Sequence, residues 1–278
     1  MNSTEIRRQW ENAAPGWARW ESTVAAWMQP ATDTMFSLAG VSPGARVLDI
    51  ACGAGSQTLV AARSVGADGH VVASDIAHSM VQHVRENARA AGLANVTTLV
   101  GAAEDLAVDP NSFDAVICRL GLMLFAAPAN ALTAAHRALR PGGRLAAVVF
   151  TTPDANPFMA RPLQVLLRHS GKTPPAPGRP GIFSLGAPGR LAALLTEAGF
   201  ADVHERTVSL HLRLPAAADA LTMIQQAFGL YRAIIEDSPE PVRDAAWAEV
   251  GSTLASFESP SGFVAPAEVI VVAGTRPA

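Results

Sequence analysis

The stretch Val47-Leu48-Asp49-Ile50-Ala51-Cys52-Gly53-Ala54-Gly55 passes from apolar, strand-like residues through an acid into a glycine-bearing turn. A helix is expected to open near Ser56, and a second acid, Asp75, ends the next apolar run. In a doubly wound sheet, ligands sit beyond the carboxyl ends of the strands, where the first turn hugs the ligand and an acid after the second strand takes a ribose. Gly53 and Gly55 carry no Cβ and so permit close backbone approach, while a helix N-terminus offers unpaired N–H groups. The pattern points to a nucleoside site. A dinucleotide fingerprint reads Gly-x-Gly-x-x-Gly and sets a pyrophosphate on the helix N-terminus. Here Thr58 stands at the third glycine's position, and Asp49 lies just ahead of the loop, where a carboxylate repels phosphate and suits an ammonium or a water held to one. A nucleoside carrying an amino acid fits this loop better than a nicotinamide dinucleotide.

Four more segments follow in order: Val71-Val72-Ala73-Ser74-Asp75-Ile76, Gly101-Ala102-Ala103-Glu104-Asp105-Leu106, Ser112-Phe113-Asp114-Ala115-Val116-Ile117-Cys118-Arg119, and Leu139-Arg140-Pro141-Gly142-Gly143-Arg144-Leu145. With the first loop, they make the chain resemble the class I S-adenosylmethionine (SAM) methyltransferases. Within that superfamily it is similar to the ubiquinone/menaquinone C-methyltransferase family, most clearly from about Val41 to Phe150. The resemblance implies SAM as cofactor, with Asp49, Ala51, Gly53 and Gly55 around the first loop and Asp75 on the ribose hydroxyls. It also implies Ile76 beside the adenine, Met80 among the cofactor contacts, and Ala103 and Glu104 along the adenine edge. Two positions depart from the family pattern. Ala102 stands where relatives often have Asp, leaving the adenine contact to the Ala103 backbone and Glu104. Arg119 stands where relatives often have a small polar residue near the methionine moiety, and its guanidinium could fork onto the cofactor carboxylate.

The bulk properties exclude other classes. The chain has 278 residues, enough to bury a full core, and 21 Lys plus Arg against 24 Asp plus Glu give a net charge of −3. That balance offers no general attraction to nucleic acid or an anionic membrane. The first ten residues carry charges without an apolar run, and no apolar stretch reaches the length of a membrane span, so a cytoplasmic location is expected. Cys52 and Cys118 have no ligand neighbours at metal-binding spacing, and no metal is expected.

The expected fold is α/β: a doubly wound, Rossmann-like sheet of seven strands, mostly parallel with the last antiparallel, preceded by N-terminal helices and carrying a helical cap and lid. Strands are expected at 46–50, 70–74, 96–100, 113–118, 144–150, 201–214 and near 268–273. One N-terminal helix is expected to hold Trp10, Trp17, Trp20 and Trp27, with a second over 31–39. One of Trp10, Trp17 or Trp20 could close over the site, since aromatic faces attract a sulfonium. Pro174-Pro175-Ala176-Pro177 punctuates an irregular cap that includes a helix over about 158–169, and two helical stretches are expected between 216 and 257. The chain thus divides into an N-terminal helical cap (1–40), a SAM-binding core (41–150), a cap, sixth strand and helical lid (151–260) and a last core strand (261–278).

Methyl transfer is an in-line displacement that needs the acceptor held close and collinear more than it needs a protein nucleophile. If a base assists, His169 at the end of the cap helix and Tyr231 in the lid are the candidates. Apolar residues of the cap and lid suit a hydrophobic small-molecule methyl acceptor, with Met123, Phe125, Phe158, Met223 and Phe228 as its expected contacts. The expected activity is SAM-dependent methylation of a quinone-like or secondary-metabolite acceptor at carbon, oxygen or nitrogen. The alternative is a SAM-binding protein that has lost transfer.

Overall fold

A computed structural model of the chain describes residues 3–174 and 179–278, so Pro175, Ala176 and Pro177 of the proline-rich punctuation lie outside the described residues. Five parallel strands form the first half of the sheet: β1 (Arg46–Ile50), β2 (His70–Asp75), β3 (Val96–Val100), β4 (Phe113–Arg119) and β5 (Leu139–Phe150). β6 (Ala201–Leu214), the two-residue β7 (Glu258–Ser259) and β8 (Gly262–Thr275) complete it. The order is β3-β2-β1-β4-β5-β8-β6, with β8 antiparallel to both of its long neighbours and β7 paired to β8 alone. The seven expected strands are present, and the additional short β7 makes the sheet eight-stranded.

The crossing order puts the switch point between β1 and β4, where a crevice opens at the carboxyl ends. β1 is buried from Val47 to Ile50, and its neighbours Ala115, Val116 and Ile117 on β4 are fully buried, as the doubly covered strands of a parallel sheet require. β8 extends well past the expected 268–273 because β6 pairs with it over nearly its whole length. Pro266 sits in that extension without cost to the ladder, since β5 pairs only from Val269 onward and that side of Pro266 is an edge. On its other side β6 is the sheet's edge, and it exposes Asp202, Glu205 and Arg206, charges that discourage pairing with another chain.

Two helices lead into β1, α1 (Ser3–Arg19) and α2 (Glu21–Ala39). The break falls at Trp20, so Trp27 belongs to α2 rather than to the first helix, and α2 begins ten residues before the expected 31 with Pro30 inside it. α3 (Ser56–Val65) and α4 (His78–Ala90) follow β1 and β2, and α5 (Pro128–Ala138) precedes β5. α6 (Pro157–Ser170) and α7 (Arg190–Glu197) form the cap. Between β6 and β7 lie three helices where two were expected: α8 (Ala217–Ala227), α9 (Gly229–Ile235) and α10 (Glu240–Ala255). Phe228, at φ −90° and ψ 80°, breaks the first from the second.

α1 is fastened across the sheet's carboxyl end by polar contacts at both sides. The Glu11 carboxylate accepts from the His78 and Ser79 backbone N–H groups at 2.6 and 3.1 Å, capping the N-terminus of α4. Gly16 lies against α8 so tightly that a Cβ there would stand 1.8 Å from the Gln226 carbonyl oxygen, and Trp20 Nε1–H donates to Gln226 Oε1 at 2.9 Å. The insertion expected as a lid is built into the body: α10 packs on α6, and only the α8–α9 junction reaches the cleft.

Candidate active site

The cleft at the carboxyl ends of β1, β2 and β4 is lined on one wall by the first loop and on the others by α1, α2, the start of α6 and the α8–α9 junction. The loop conforms to its glycines. Gly53 (φ +57°) and Gly55 (φ +103°) are left-handed, and a Cβ on Gly55 would stand 2.9 Å from Val84 Cγ2 of α4. Two non-glycine residues, Ala51 (φ +56°) and Leu120 (φ +62°), adopt the same region directly after β1 and β4, and both line the cleft. Backbone held in this sparsely populated region is retained where the surroundings over-determine it, often at functional sites.

Asp75 closes β2 at the cleft, with Oδ2 accepting from Gly53 N–H at 3.1 Å and Oδ1 from Ala77 N–H at 3.0 Å. With backbone N–H groups of Gly53, Ala77 and Ile76 bonded to it, the carboxylate still keeps acceptor capacity for a ligand hydroxyl. Burial pushes its pKa up to about 6. Asp49 is different. It is fully buried and absent from the cleft lining, and it accepts from Thr58 Oγ1 at 2.5 Å and Gln57 Nε2 at 3.1 Å, so it ties the end of β1 to α3. Its pKa is raised to about 6 by burial. Of the remaining expected cofactor contacts, Ala51, Gly53, Ile76, Met80, Ala103, Glu104 and Arg119 line the cleft. Gly55 does not line it but shapes the turn. Glu104 Oε1 accepts from Ala127 N–H at 3.2 Å, leaving its other oxygen available.

Arg119, 9% exposed, donates to Thr32 Oγ1 at 2.9 Å and to Ser56 Oγ at 2.7 Å, two neutral hydroxyls. Burial lowers its pKa to about 10, against the favourable fields of Asp49 and Glu21. A buried guanidinium facing a cleft with only hydroxyl partners calls for an anion. Glu21, at the first turn of α2, faces the same region. Its Oε2 accepts from Asn87 Nδ2 at 3.0 Å, while Oε1 is buried without a hydrogen-bond partner. Burial raises Glu21 to about 7, opposed by Arg119. No motif marks Glu21 in the sequence; only the docking of α2 brings it to the cleft.

The acceptor-side candidates divide. Met123, Phe125 and Phe228 line the cleft. Phe158 and Met223 are fully buried behind it, Phe158 packing edge-on to Trp27, Phe228 and Phe263. Neighbouring Phe150 and Met159, the latter one of the apolar cap residues, line it instead. His169 is not at the cleft. It lies 2.8 Å from Glu249 on α10, because α6 starts at the cleft near Met159 and carries His169 about 15 Å along its axis. Tyr231 lines the cleft, but its hydroxyl donates to the Met159 carbonyl at 2.8 Å and burial drives its pKa upward, which makes it a poor base. Trp10, Trp17 and Trp27 line the cleft; Trp20 does not. No cluster of metal-ligating side chains occurs among the described residues.

Comparison with known proteins agrees with this geometry. Residues 41–167 match the family model described as a methyltransferase domain. The nocamycin O-methyltransferase of Saccharothrix syringae is 34% identical over 208 residues, covering 71% of this chain and 74% of the relative. The ubiquinone/menaquinone biosynthesis C-methyltransferase of Erwinia tasmaniensis is 40% identical over 120 residues, which is 43% of this chain and about half (48%) of that enzyme. The crystal structure of the YcgJ protein from Bacillus subtilis shares the fold, with a TM-score of 0.60 and 19% identity over 90% of this chain and 99% of that one. The chain belongs to the class I SAM-dependent methyltransferases. Within them it is related to the ubiquinone/menaquinone C-methyltransferases, and its cofactor is SAM. The cleft fits that cofactor: the loop leaves room for close backbone approach, and Arg119 and Glu21 offer an unmatched cation and an unmatched carboxylate oxygen for a zwitterionic amino-acid moiety.

Proposed function

We propose that the enzyme methylates a small, largely apolar molecule, quinone-like or of the secondary-metabolite type, at a phenol, enol or activated carbon. The observation that carries this reading is the division of the cleft. Charged and turn-forming residues gather at the strand ends, and the opposite half is aromatic and aliphatic, with no histidine lining it among the described residues. An apolar pocket with few polar groups is the usual site for such a ligand. The likeness to an O-methyltransferase named for nocamycin and to quinone C-methyltransferases supports a small-molecule acceptor.

In this reading residues 41–150 form the cofactor unit, joined by Glu21 of α2, and the rest of 1–40 with 151–260 supply the acceptor half together with Met123 and Phe125. Asp75 takes the ribose hydroxyls, Ile76 and Met80 flank the adenine, and Ala103 and Glu104 serve its edge. Arg119 takes the cofactor carboxylate and Glu21 its ammonium, while Asp49 acts from behind by holding α3 against the loop. Bound SAM supplies a methyl carbon made electrophilic by its sulfonium. The protein's part is to hold the acceptor collinear with that carbon and to exclude water; α1 and the α8–α9 junction do this by roofing the cleft. Nucleic acid is not a substrate in this reading, consistent with the net charge of −3. No helix of the described residues is long and apolar enough to cross a membrane, and we place the enzyme in the cytoplasm.

The test is calorimetric titration with SAM and S-adenosylhomocysteine, followed by an acceptor screen read as S-adenosylhomocysteine release. Both ligands should bind, and Asp75→Ala should weaken each by about 10- to 100-fold, the loss of hydrogen bonds to a charged group. Binding that is unchanged in a folded Asp75→Ala variant would reject the ribose assignment. Cofactor binding with no turnover on any small apolar acceptor would favour a protein that uses SAM without transfer.

A further inference from the structure

We infer that the acceptor is an apolar molecule bearing an acidic enol or phenol oxygen, which enters already ionised and is held by the indole N–H groups of Trp17 and Trp27. The inference rests on the methyl-transfer reading above and specifies its substrate. Two observations combine to carry it.

The first is a pair of unanswered donors on one cleft. Trp17 and Trp27 both line it, and the Nε1 atom of each is buried without a hydrogen-bond partner. Trp27 is only 4% exposed, and no protein group accepts from its indole N–H. A buried donor left unpaired costs about 1–3 kcal/mol, and native proteins seldom tolerate one without a use. The two indoles flank one array of rings. Trp17 meets Phe228 at 5.9 Å, Phe228 meets Phe158 at 6.5 Å, and Phe158 meets Trp27 at 5.8 Å. Among the described residues these are buried, unsatisfied donors carried by two side chains that line the cleft. An indole donates and cannot accept, so the complementary ligand atom is an oxygen acceptor, best met when it is anionic.

The second is the lack of a base on that side. The ionisable residues lining the cleft are Glu21, Cys52, Asp75, Glu104, Arg119 and Tyr231. The first five lie on the cofactor side or at its edge, and the Tyr231 hydroxyl already donates to the Met159 carbonyl. No side chain stands ready to remove a proton from a neutral acceptor. An acidic enol or phenol needs none: its proton leaves to solvent before it binds, and it arrives with the lone pair that attacks. Burying that anion beside a sulfonium offsets its desolvation, because opposite charges attract strongly where the effective dielectric is low. A simple amine or an unactivated alcohol meets neither requirement.

The test uses protein saturated with sinefungin, a SAM analogue that keeps a cation where the sulfonium stands and transfers no methyl, and two probes of one shape, 4-hydroxycoumarin, an acidic enol, and coumarin, which lacks the hydroxyl. With nitrogen-15-labelled tryptophan, 4-hydroxycoumarin should shift the Trp17 and Trp27 indole N–H signals downfield and leave that of Trp247 in place. It should also bind at least about tenfold tighter than coumarin, a preference that falls to about threefold or less in the Trp17→Phe/Trp27→Phe double variant. Equal affinity for the two probes, no binding of 4-hydroxycoumarin, or indole signals that do not respond would overturn the inference. Binding of sinefungin is measured first in every protein. Its loss in the wild type would remove the cofactor reading beneath, whereas intact binding without enol preference refutes the substrate class alone. The labelled wild type needs no substitution, so a poorly folding double variant does not shield the idea.

Discussion

Replacing Arg119 by Met should separate stability from cofactor recognition. The guanidinium is 9% exposed and bonded only to the hydroxyls of Thr32 and Ser56, and burial moves its pKa from 12.5 to about 10. At 1.36 kcal/mol per unit, that displacement puts the cost of keeping the charge there at roughly 3 kcal/mol in the ligand-free protein, net of the attraction from Asp49 and Glu21. Methionine keeps most of the apolar stem without the charge. The freed hydroxyls of Thr32 and Ser56 take back part of the gain, since Thr32 Oγ1 also donates to the Met28 carbonyl at 3.0 Å and loses only one partner. The ligand-free variant should therefore melt no lower than the parent. Cofactor affinity should move the other way. Removing one member of a desolvated charge pair costs about 2–5 kcal/mol, so S-adenosylhomocysteine should bind at least about 30-fold more weakly. 5′-Methylthioadenosine, which lacks the amino-acid moiety, should bind within about threefold of the parent value. Thermal unfolding and calorimetry with both ligands provide the assay. A variant that unfolds several degrees lower without ligand, or that loses both ligands equally, would show that Arg119 serves the fold and not the cofactor carboxylate.

Other expectations concern the same cleft. Glu21 has its pKa raised to about 7, so without ligand it is protonated below that pH and must ionise to meet an ammonium. S-adenosylhomocysteine affinity should thus rise with pH through the region of 7 by at most about tenfold per unit, less where solvent screens this partly exposed group. Glu21→Gln should flatten that rise, and an unchanged profile would exclude the role. Folding shows the opposite sense for the raised carboxylates Glu21, Asp49 and Asp75. Because the folded state holds their protons more tightly, ligand-free stability should fall as pH rises from about 4 through about 6 to 7, which denaturation at stepped pH would read. Gly55→Ala should lose more stability and cofactor affinity than Gly53→Ala. Both are left-handed, but only at Gly55 would the new Cβ stand 2.9 Å from Val84, whereas at Gly53 nothing lies within 4 Å. Equal losses would mean that backbone conformation alone decides. Gly16→Ala should push α1 off α8, since its Cβ would stand 1.8 Å from the Gln226 carbonyl oxygen, and should weaken acceptor binding before cofactor binding. Proteolysis of the N-terminal segment in the presence of S-adenosylhomocysteine would detect the displacement, and an unaltered cleavage rate would count against α1 as the roof.

Local chemistry alone determined the parallel half of the fold and the cofactor loop. Short apolar runs ending at Asp49 and Asp75 demand buried strands, and Gly53 and Gly55 demand a turn that other residues resist. These constraints act within a few residues, so they are legible before any long-range contact is known. The position of Asp75 at the cleft followed from the same logic. Tertiary packing decided the rest. Asp49, expected at the cofactor from its place ahead of the loop, is instead turned inward by Thr58 and Gln57, while Glu21 reaches the cofactor side only because α2 docks there beside Asn87. His169 was the histidine best placed by topology, at the end of the cap helix, yet the rise of α6 carries it to Glu249. Phe158 and Met159 are adjacent in sequence and go to different places, one into the core and one to the cleft, because successive positions on a helix point about 100° apart. Which tryptophan faces the ligand, and which donors lack partners, depends on how α1, α2 and α8 settle against one another. That information resides in contacts between residues far apart in the chain, and no local period encodes it.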